Sequence, residues 1–154
     1  MAITSSSDEK LEIARQFGAD ITVNYREHAD WAGQLMSLTD NAGADVIIET
    51  AGQDTLGQSI AAAAVNGRIA VIGVTPGQRS PIPDYVSLVL RNVTIRGIAN
   101  GSREMFLDLI RAIESNGIQT VVAKTFTFDE APEAFAFLAP AQHLGKILIG
   151  FDRR

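Results

Sequence analysis

The chain has 154 residues, and its 13 Lys and Arg residues against 18 Asp and Glu residues give a net charge of −5 at neutral pH. A hydrophobic share of 46% and a charged share of 20% are typical of a globular protein long enough to bury a core. The lack of cysteine excludes disulfides, cysteine-based zinc sites, iron–sulfur clusters and thiol catalysis.

Three further features restrict the setting and the partners. With only two histidines we expect no zinc or other metal site in this chain. The longest apolar run, from Ile60 to Val65, is too short to span a bilayer, and the first residues lack a basic and an apolar signal segment. A net negative charge without a basic block argues against a nucleic-acid partner. We therefore expect a soluble, cytoplasmic protein that binds neither membranes nor nucleic acid.

Short apolar runs alternate with amphipathic stretches, which is typical of α/β proteins with a parallel sheet. Strands are predicted at residues 2–4, 21–23, 45–49, 68–74, 93–97, 121–128 and 146–151. Helices are predicted at residues 8–17, 31–38, 55–65, 102–113 and 131–138.

Local signals refine these elements. Ser6 and Glu9 have the spacing of a capping box for the first helix, and Gly18 follows its end. The nearly all-apolar strand at 45–49 is expected to be covered on both faces. Four Pro and Gly residues between Pro76 and Pro83 predict a loop. The alternating pattern at 93–97 predicts an edge strand.

The motifs of common catalytic and phosphate-binding sites are missing. None of the 13 glycines lies two residues from another, so no G-x-G-x-x-G turn is present. Gly52 and Gly57 are spaced as in a P-loop, but Gln58 stands where that motif needs a lysine, so a plain strand-to-helix turn is the favoured interpretation. No G-x-S-x-G motif occurs, and paired acids such as Asp8-Glu9 lie at helix starts. We therefore assign no catalytic residue.

Six segments in order nevertheless resemble a known family. They lie at residues 4–11, 17–20, 23–27, 43–52, 67–73 and 145–149. Together they are similar to the cofactor-binding half of medium-chain dehydrogenases/reductases, the superfamily of zinc-type alcohol dehydrogenases and quinone oxidoreductases. The resemblance implies a three-layer Rossmann-like fold. It also implies a truncated nucleotide-binding domain at residues 1–118 and, at 119–154, a segment that returns to the catalytic domain.

The resemblance starts at the second strand of the family's domain, so the first strand and its glycine turn are expected to be absent. A Rossmann sheet has the strand order 3-2-1-4-5-6. Without strand 1, the strand at 2–4 either pairs directly with the strand at 45–49, which gives a flavodoxin-like order, or a second copy fills the gap.

A homodimer or a larger homo-oligomer is also expected. Two surfaces would form it: the edge strand at Val93–Arg96 and the apolar face of the C-terminal segment. That face carries Phe126, Phe128, Phe135, Phe137 and Phe151.

The resemblance also implies an NADP site at the strand ends. Ser5 replaces the acidic residue that binds the ribose in NAD-specific proteins, and Ser6, Lys10 and Tyr25 would hold the 2′-phosphate. The remaining residues are expected to line the adenosine and nicotinamide sites (Thr50, Ala51, Gly73, Val74), to meet the carboxamide (Ile98) and to approach the pyrophosphate (Lys146). Each of three residues also has a purely structural interpretation. Ser6 could cap the first helix, and Lys10 and Lys146 could be solvated surface lysines.

Three functions remain open. The first is the cofactor-binding part of an NADP-dependent oxidoreductase for alcohols, aldehydes or quinones, inactive on its own. The second is a non-catalytic binding or assembly module with the same fold. The third, a receiver-like regulatory domain, is disfavoured because Thr4-Ser5-Ser6 stands where an acidic cluster would follow the first strand.

Overall fold

The computed structural model describes residues 1–73 and 85–151. The chain forms two compact units, Met1–Asn100 and Gly101–Arg154. The division of function expected at residue 118 differs from this boundary between packed units, and it stays a prediction.

The first unit contains five strands and four helices among its described residues. The strands are β1 (Ala2–Ser5), β2 (Ile21–Asn24), β3 (Ala44–Glu49), β4 (Ala63–Val71) and β5 (Thr94–Gly97). The helices are α1 (Asp8–Gln16), α2 (Trp31–Leu38), α3 (Gln53–Ala62) and α4 (Tyr85–Leu90).

The second unit is built around one further strand pair. Its elements are α5 (Arg103–Ser115), β6 (Val122–Thr127), a 3-10 turn (Phe128–Glu130), α6 (Ala131–Leu138) and β7 (Lys146–Gly150). Phe126 is buried and its ring lies 5.9 Å from that of Phe137, so Phe126 packs within this unit and is not part of an exposed face. Phe128 and Phe151 are exposed, with ring centroids 5.1 Å apart.

Every strand pair in the described residues is parallel, which confirms the α/β class. The pairs form three groups, β1–β2, β3–β4–β5 and β6–β7. In the order β3–β4–β5, β5 lies at an edge, as its alternating pattern predicts. None of the helices in the described segments combines the length with the apolar composition needed to cross a bilayer.

Among the described residues, β1 does not pair directly with β3. β1 forms its ladder with β2, and β3 forms its ladder with β4. Helix α2 joins the two sheets instead, because Ala32 and Leu35 pack with Ala62 in one cluster. That cluster also takes in Ile21 of β2 and Ile47 of β3. Side-chain packing therefore holds the sheets without a shared ladder, and the flavodoxin-like order is wrong here.

Two predicted boundaries also need correction. Ser7, not Ser6, caps α1, because its hydroxyl accepts the hydrogen bond from the N–H of Lys10 at 3.3 Å. Helix α3 ends at Ala62 and β4 begins at Ala63, earlier than predicted. The guanidinium of Arg91 donates to the carbonyl oxygens of Ala61 and Ala63, both at 2.9 Å, and so satisfies the end of this helix. The predicted turn at Gly18 is confirmed by its φ of +94°.

One face of β3 is covered rather than two. Ile47 and Glu49 lie on the covered side, while Val46 and Ile48 are 51% and 58% exposed. Above the covered side, Ile60 of α3 packs with Ile69 of β4 and Val93 in the main core cluster. The loop predicted around Pro76–Pro83 lies outside the described residues.

Candidate functional site

The carboxyl ends of β1 and β2 bring together the first group of predicted site residues. Ser5 lies opposite Asn24, and the N–H of Tyr25 donates to the carbonyl oxygen of Ser5 at 3.0 Å. The Ser5 hydroxyl accepts from the N–H of Ser7 at 3.3 Å, where α1 starts. Since Lys10 follows one turn later on α1, the predicted residues Ser5, Ser6, Lys10 and Tyr25 lie around one strand-to-helix turn. We call these four residues the ribose group, after the role predicted for them from the sequence.

The ends of β3, β4 and β5 bring together a second set. The N–H groups of Ile72 and Gly73 donate to the carbonyl oxygen of Glu49 at 2.9 and 3.0 Å. The N–H of Ile98 donates to the carbonyl oxygen of Val71 at 2.9 Å. Thr50, Ala51, Gly73 and Ile98 therefore lie at the ends of adjacent parallel strands, the usual place for ligands in α/β proteins. We call them the turn group.

Gly73 allows an unusually close approach of two backbone segments. A Cβ atom at this position would overlap the carbonyl group of Thr50 and lie 2.8 Å from the carbonyl carbon of Ala51. Any larger residue would have to move the backbone of the turn after β3. Glycine at position 73 is thus required by packing within the turn group itself.

Two predicted residues fall elsewhere. Val74 lies outside the described residues. Lys146 begins β7 in the second unit, and its contact with a pyrophosphate stays a prediction.

The structure adds Glu49, which the search for motifs missed. It ends β3 with only 4% of its surface exposed. One carboxylate oxygen accepts from the N–H groups of Ala51 and Gly52 at 2.9 and 3.0 Å and from the Thr55 hydroxyl at 2.7 Å. The other oxygen accepts from the Ser59 hydroxyl at 2.6 Å. An acid ending an apolar strand, with two hydroxyl residues four apart on the following helix, is the sequence signal for this arrangement.

Glu49 is stabilised in its ionised form. Burial by itself raises the pKa of the carboxyl, but the hydrogen bonds from Ser59, Gly52, Thr55 and Ala51 together outweigh burial. The pKa of Glu49 therefore lies below its ordinary value of 4.5. The result is a buried negative charge directly beneath Thr50 and Ala51.

The hydrogen bonds to Glu49 exclude a P-loop at Gly52–Gly57. In a P-loop the backbone N–H groups of the turn hold a phosphate. Here the N–H groups of Ala51 and Gly52 are given to Glu49. Gln58 is also engaged, since its side chain accepts from the N–H of Ala32 at 3.1 Å and donates to the carbonyl of Ala29 at 2.9 Å. The strand-to-helix turn is structural, as favoured from the sequence.

Side chains of this chain accept hydrogen bonds from the backbone near the starts of three helices. Ser7 accepts from the N–H of Lys10 in α1, and Asp30 accepts from the N–H of Gly33 in α2. Glu49 accepts from the N–H groups of Ala51 and Gly52, which precede α3. Within the described residues, no group of three or more His, Cys, Asp or Glu side chains could hold a metal ion.

A separate cleft lies at the ends of β6 and β7. Its volume is about 510 Å³, and Phe128, Asp129 and Phe151 are among the residues lining it. No residue of the predicted nucleotide site lines this cleft.

Comparison with known proteins places these features in a family. The family model described as "Zinc-binding dehydrogenase" matches residues 1–115. A zinc-type alcohol dehydrogenase-like protein of Schizosaccharomyces pombe is 39% identical over 155 residues, covering 99% of this chain and 45% of that protein. The chain thus spans about half the length of the curated relatives it matches.

Solved structures agree in fold. A candidate alcohol dehydrogenase from Sinorhizobium meliloti 1021 is 41% identical with a TM-score of 0.87, covering 97% of this chain and 43% of that chain. An NAD-dependent alcohol dehydrogenase is 29% identical with a TM-score of 0.84, covering 96% and 43%. A mycobacterial protein complexed with NADPH is 25% identical with a TM-score of 0.73, covering 96% and 49%.

Replacing Gly73 with alanine tests the packing of the turn group. We expect Gly73→Ala to lower the free energy of unfolding by about 1–3 kcal/mol, because the new methyl group overlaps the backbone at Thr50. The matched control is Gly57→Ala, where a Cβ meets nothing within 4 Å and helix propensity predicts a gain of about 0.5–1 kcal/mol. Urea unfolding measures the free energy of unfolding of both variants. Equal values for the two variants would contradict the close packing of Gly73 against the backbone of Thr50.

The lowered pKa of Glu49 predicts a pH dependence of stability. Because the carboxyl is more acidic in the folded state, its stabilising contribution is complete above the ordinary pKa of 4.5 and is lost as pH falls through the lower folded value. We expect Glu49→Gln to lose stability at pH 7 and to differ less from the wild type as the pH falls below 4.5. Urea midpoints at several pH values check this, with Asp45→Asn, on the same strand, as the control. A constant difference between Glu49→Gln and the wild type would rule out the ionised carboxylate.

Proposed function

The chain belongs to the zinc-binding dehydrogenase family, and on that premise we propose that it is the cofactor-binding part of an NADP-dependent oxidoreductase. The reaction would transfer hydride between the nicotinamide and an alcohol, an aldehyde or a quinone. The observation that carries the proposal is the pair of residue groups at the carboxyl ends of parallel strands, where α/β proteins bind nucleotides.

The ribose group favours NADP over NAD. A carboxylate at the end of β1 would hydrogen-bond the ribose hydroxyls of NAD, and Ser5 has no such charge. A 2′-phosphate needs an ammonium group and hydroxyl donors, which Lys10, Ser6 and Tyr25 supply. The nearby acid Asp8 accepts a hydrogen bond from the side chain of Asn24, at the end of β2, at 2.8 Å. The mycobacterial relative complexed with NADPH supports this choice, whereas the NAD-dependent relative represents the alternative.

The turn group fits the uncharged parts of the nucleotide. Thr50 and Ala51 are exposed, and Gly73 packs closely against their backbone, so this turn presents only small, uncharged side chains. The buried charge of Glu49 beneath them disfavours a phosphate at this place. We therefore place the adenosine and the nicotinamide, rather than the diphosphate, along this group.

The bound cofactor would supply the hydride chemistry, and the residues of this chain would bind and orient it. No residue of the chain is assigned a catalytic role, so we propose that the chain on its own has no dehydrogenase activity. In that state it would act as a non-catalytic binding module, which is the second function open from the sequence. Zinc has no proposed site here, since the described side chains offer no suitable ligand group.

We propose in addition that the chain forms a homo-oligomer. Edge strand β5 is exposed along its whole length, and a homo-oligomer through Val93–Arg96 is consistent with this, although Val93 itself is buried. The exposed rings of Phe128, Phe135 and Phe151 would supply the second contact surface. The cytoplasmic location stays a prediction.

Titration with NADPH, followed by nucleotide fluorescence, tests the proposal. Because the chain has no G-x-G-x-x-G turn to hold a diphosphate, we expect half-saturation no tighter than about 100 µM, or roughly −5.5 kcal/mol. NADH should bind about tenfold more weakly than NADPH, since it lacks one charge-assisted contact. Tight, stoichiometric binding of NADPH would contradict the expected weak hold on the diphosphate. Equal affinities for NADH and NADPH would contradict the preference for NADP.

A substitution at Lys10 can distinguish a contact with the 2′-phosphate from an effect of net charge. Lys10→Gln should bring the affinity for NADPH down to that for NADH and leave NADH binding unchanged. The control is Arg15→Gln on the same helix, where Arg15 pairs with Glu12 at 2.9 Å. A loss of NADPH affinity in both variants alike would point to net charge rather than to a 2′-phosphate contact.

A further inference from the structure

Glu49 is a buried carboxylate whose described partners are all neutral donors. Burying a charge is costly unless hydrogen bonds replace its water, and four donors do so here. A neutral side chain would fill the same space at a lower cost. The position of the charge therefore calls for an explanation beyond packing.

The four donors belong to two different segments. The N–H groups of Ala51 and Gly52 are in the turn after β3, while the hydroxyl groups of Thr55 and Ser59 are on α3. The carboxylate therefore ties the turn to the helix. Hydrogen bonds to an ionised acceptor are about twice as strong as those between neutral groups.

The backbone of the same residue fixes the neighbouring strand end. Its carbonyl oxygen accepts from the N–H groups of Ile72 and Gly73. Gly73 in turn lies against the carbonyl groups of Thr50 and Ala51. Thr50, Ala51 and Gly73 are thus held in register by contacts that converge on Glu49.

We propose that Glu49 is a positioning residue for nucleotide binding: its ionised carboxylate holds the turn at Thr50–Gly52 in the conformation that contacts the cofactor. Glu49 lies beneath the turn and does not touch the nucleotide itself. The inference rests on the proposed function, because it assigns a role within the same nucleotide site.

The test compares the wild type with Glu49→Gln, which keeps the shape of the side chain and removes its charge. Asp45→Asn removes an exposed charge from the same strand and serves as the control. Amide hydrogen exchange measured by NMR reports on Ala51 and Gly52, and the amide of the buried Ile69 reports on global unfolding. NADPH fluorescence gives the dissociation constant of each variant.

We expect Glu49→Gln to accelerate exchange at Ala51 and Gly52 by a larger factor than at Ile69, whose smaller acceleration reports the loss of global stability, and to weaken NADPH binding about tenfold. Asp45→Asn should change none of these quantities. If exchange at the turn accelerates and NADPH affinity is unchanged, or if the turn keeps its protection, the positioning role is rejected. Equal factors at the turn and at Ile69 would indicate a purely structural role and would also reject the positioning role.

A second variant covers the case in which Glu49→Gln does not fold. Thr55→Val keeps the carboxylate and removes one of its donors, so it should give a smaller acceleration at Gly52 and a twofold to threefold weaker binding, about 0.4–0.7 kcal/mol. Unchanged exchange and affinity in Thr55→Val would then reject the role. Failure of the wild type to bind NADPH at all would reject the proposed function, and the positioning role with it. If the wild type binds NADPH and the variants bind it equally well, only the positioning role is rejected.

Discussion

The turn after β3 depends on one buried carboxylate. The Glu49 carboxylate accepts hydrogen bonds from two backbone N–H groups and two hydroxyl groups. The carbonyl oxygen of the same residue accepts from the two N–H groups that follow β4. Because a buried charge tolerates few alternative arrangements of its donors, this set of contacts fixes where β3, β4 and α3 meet. The exposed surface formed by Thr50, Ala51 and Gly73 is a consequence of that arrangement.

The same constraint bears on the nucleotide site that we propose. Glu49 accepts from the N–H groups of Ala51 and Gly52, so these two groups are not donors to a phosphate. The ammonium group in the proposed site is that of Lys10, in the ribose group. The two groups belong to separate ladders joined by α2, and no described strand pairs with both β1 and β3. The site that we propose would therefore bind the two ends of a dinucleotide and hold its diphosphate weakly.

Much of this could be predicted from the sequence, because parallel strands and helix ends have strong local signals. The predicted strands correspond to the seven strands of the described residues, and Gly18 and Ser102 marked helix ends as expected. The predictions failed where distant contacts decide the outcome. The end of α3 depends on Arg91, thirty residues away, and the separation of β1 from β3 depends on packing around α2. Glu49 was missed because its donors lie between two and ten residues after it and match no motif.

The central claim is that the ribose group and the turn group form one nucleotide site. The most direct measurement is an NMR titration of the chain with NADPH that follows backbone amide shifts. We expect the amides of Ser5, Tyr25, Ala51 and Gly73 to shift together, with one dissociation constant, while those of Phe128 and Phe151 stay unchanged. Shifts confined to the aromatic cleft at the ends of β6 and β7, or to only one of the two groups, would contradict it.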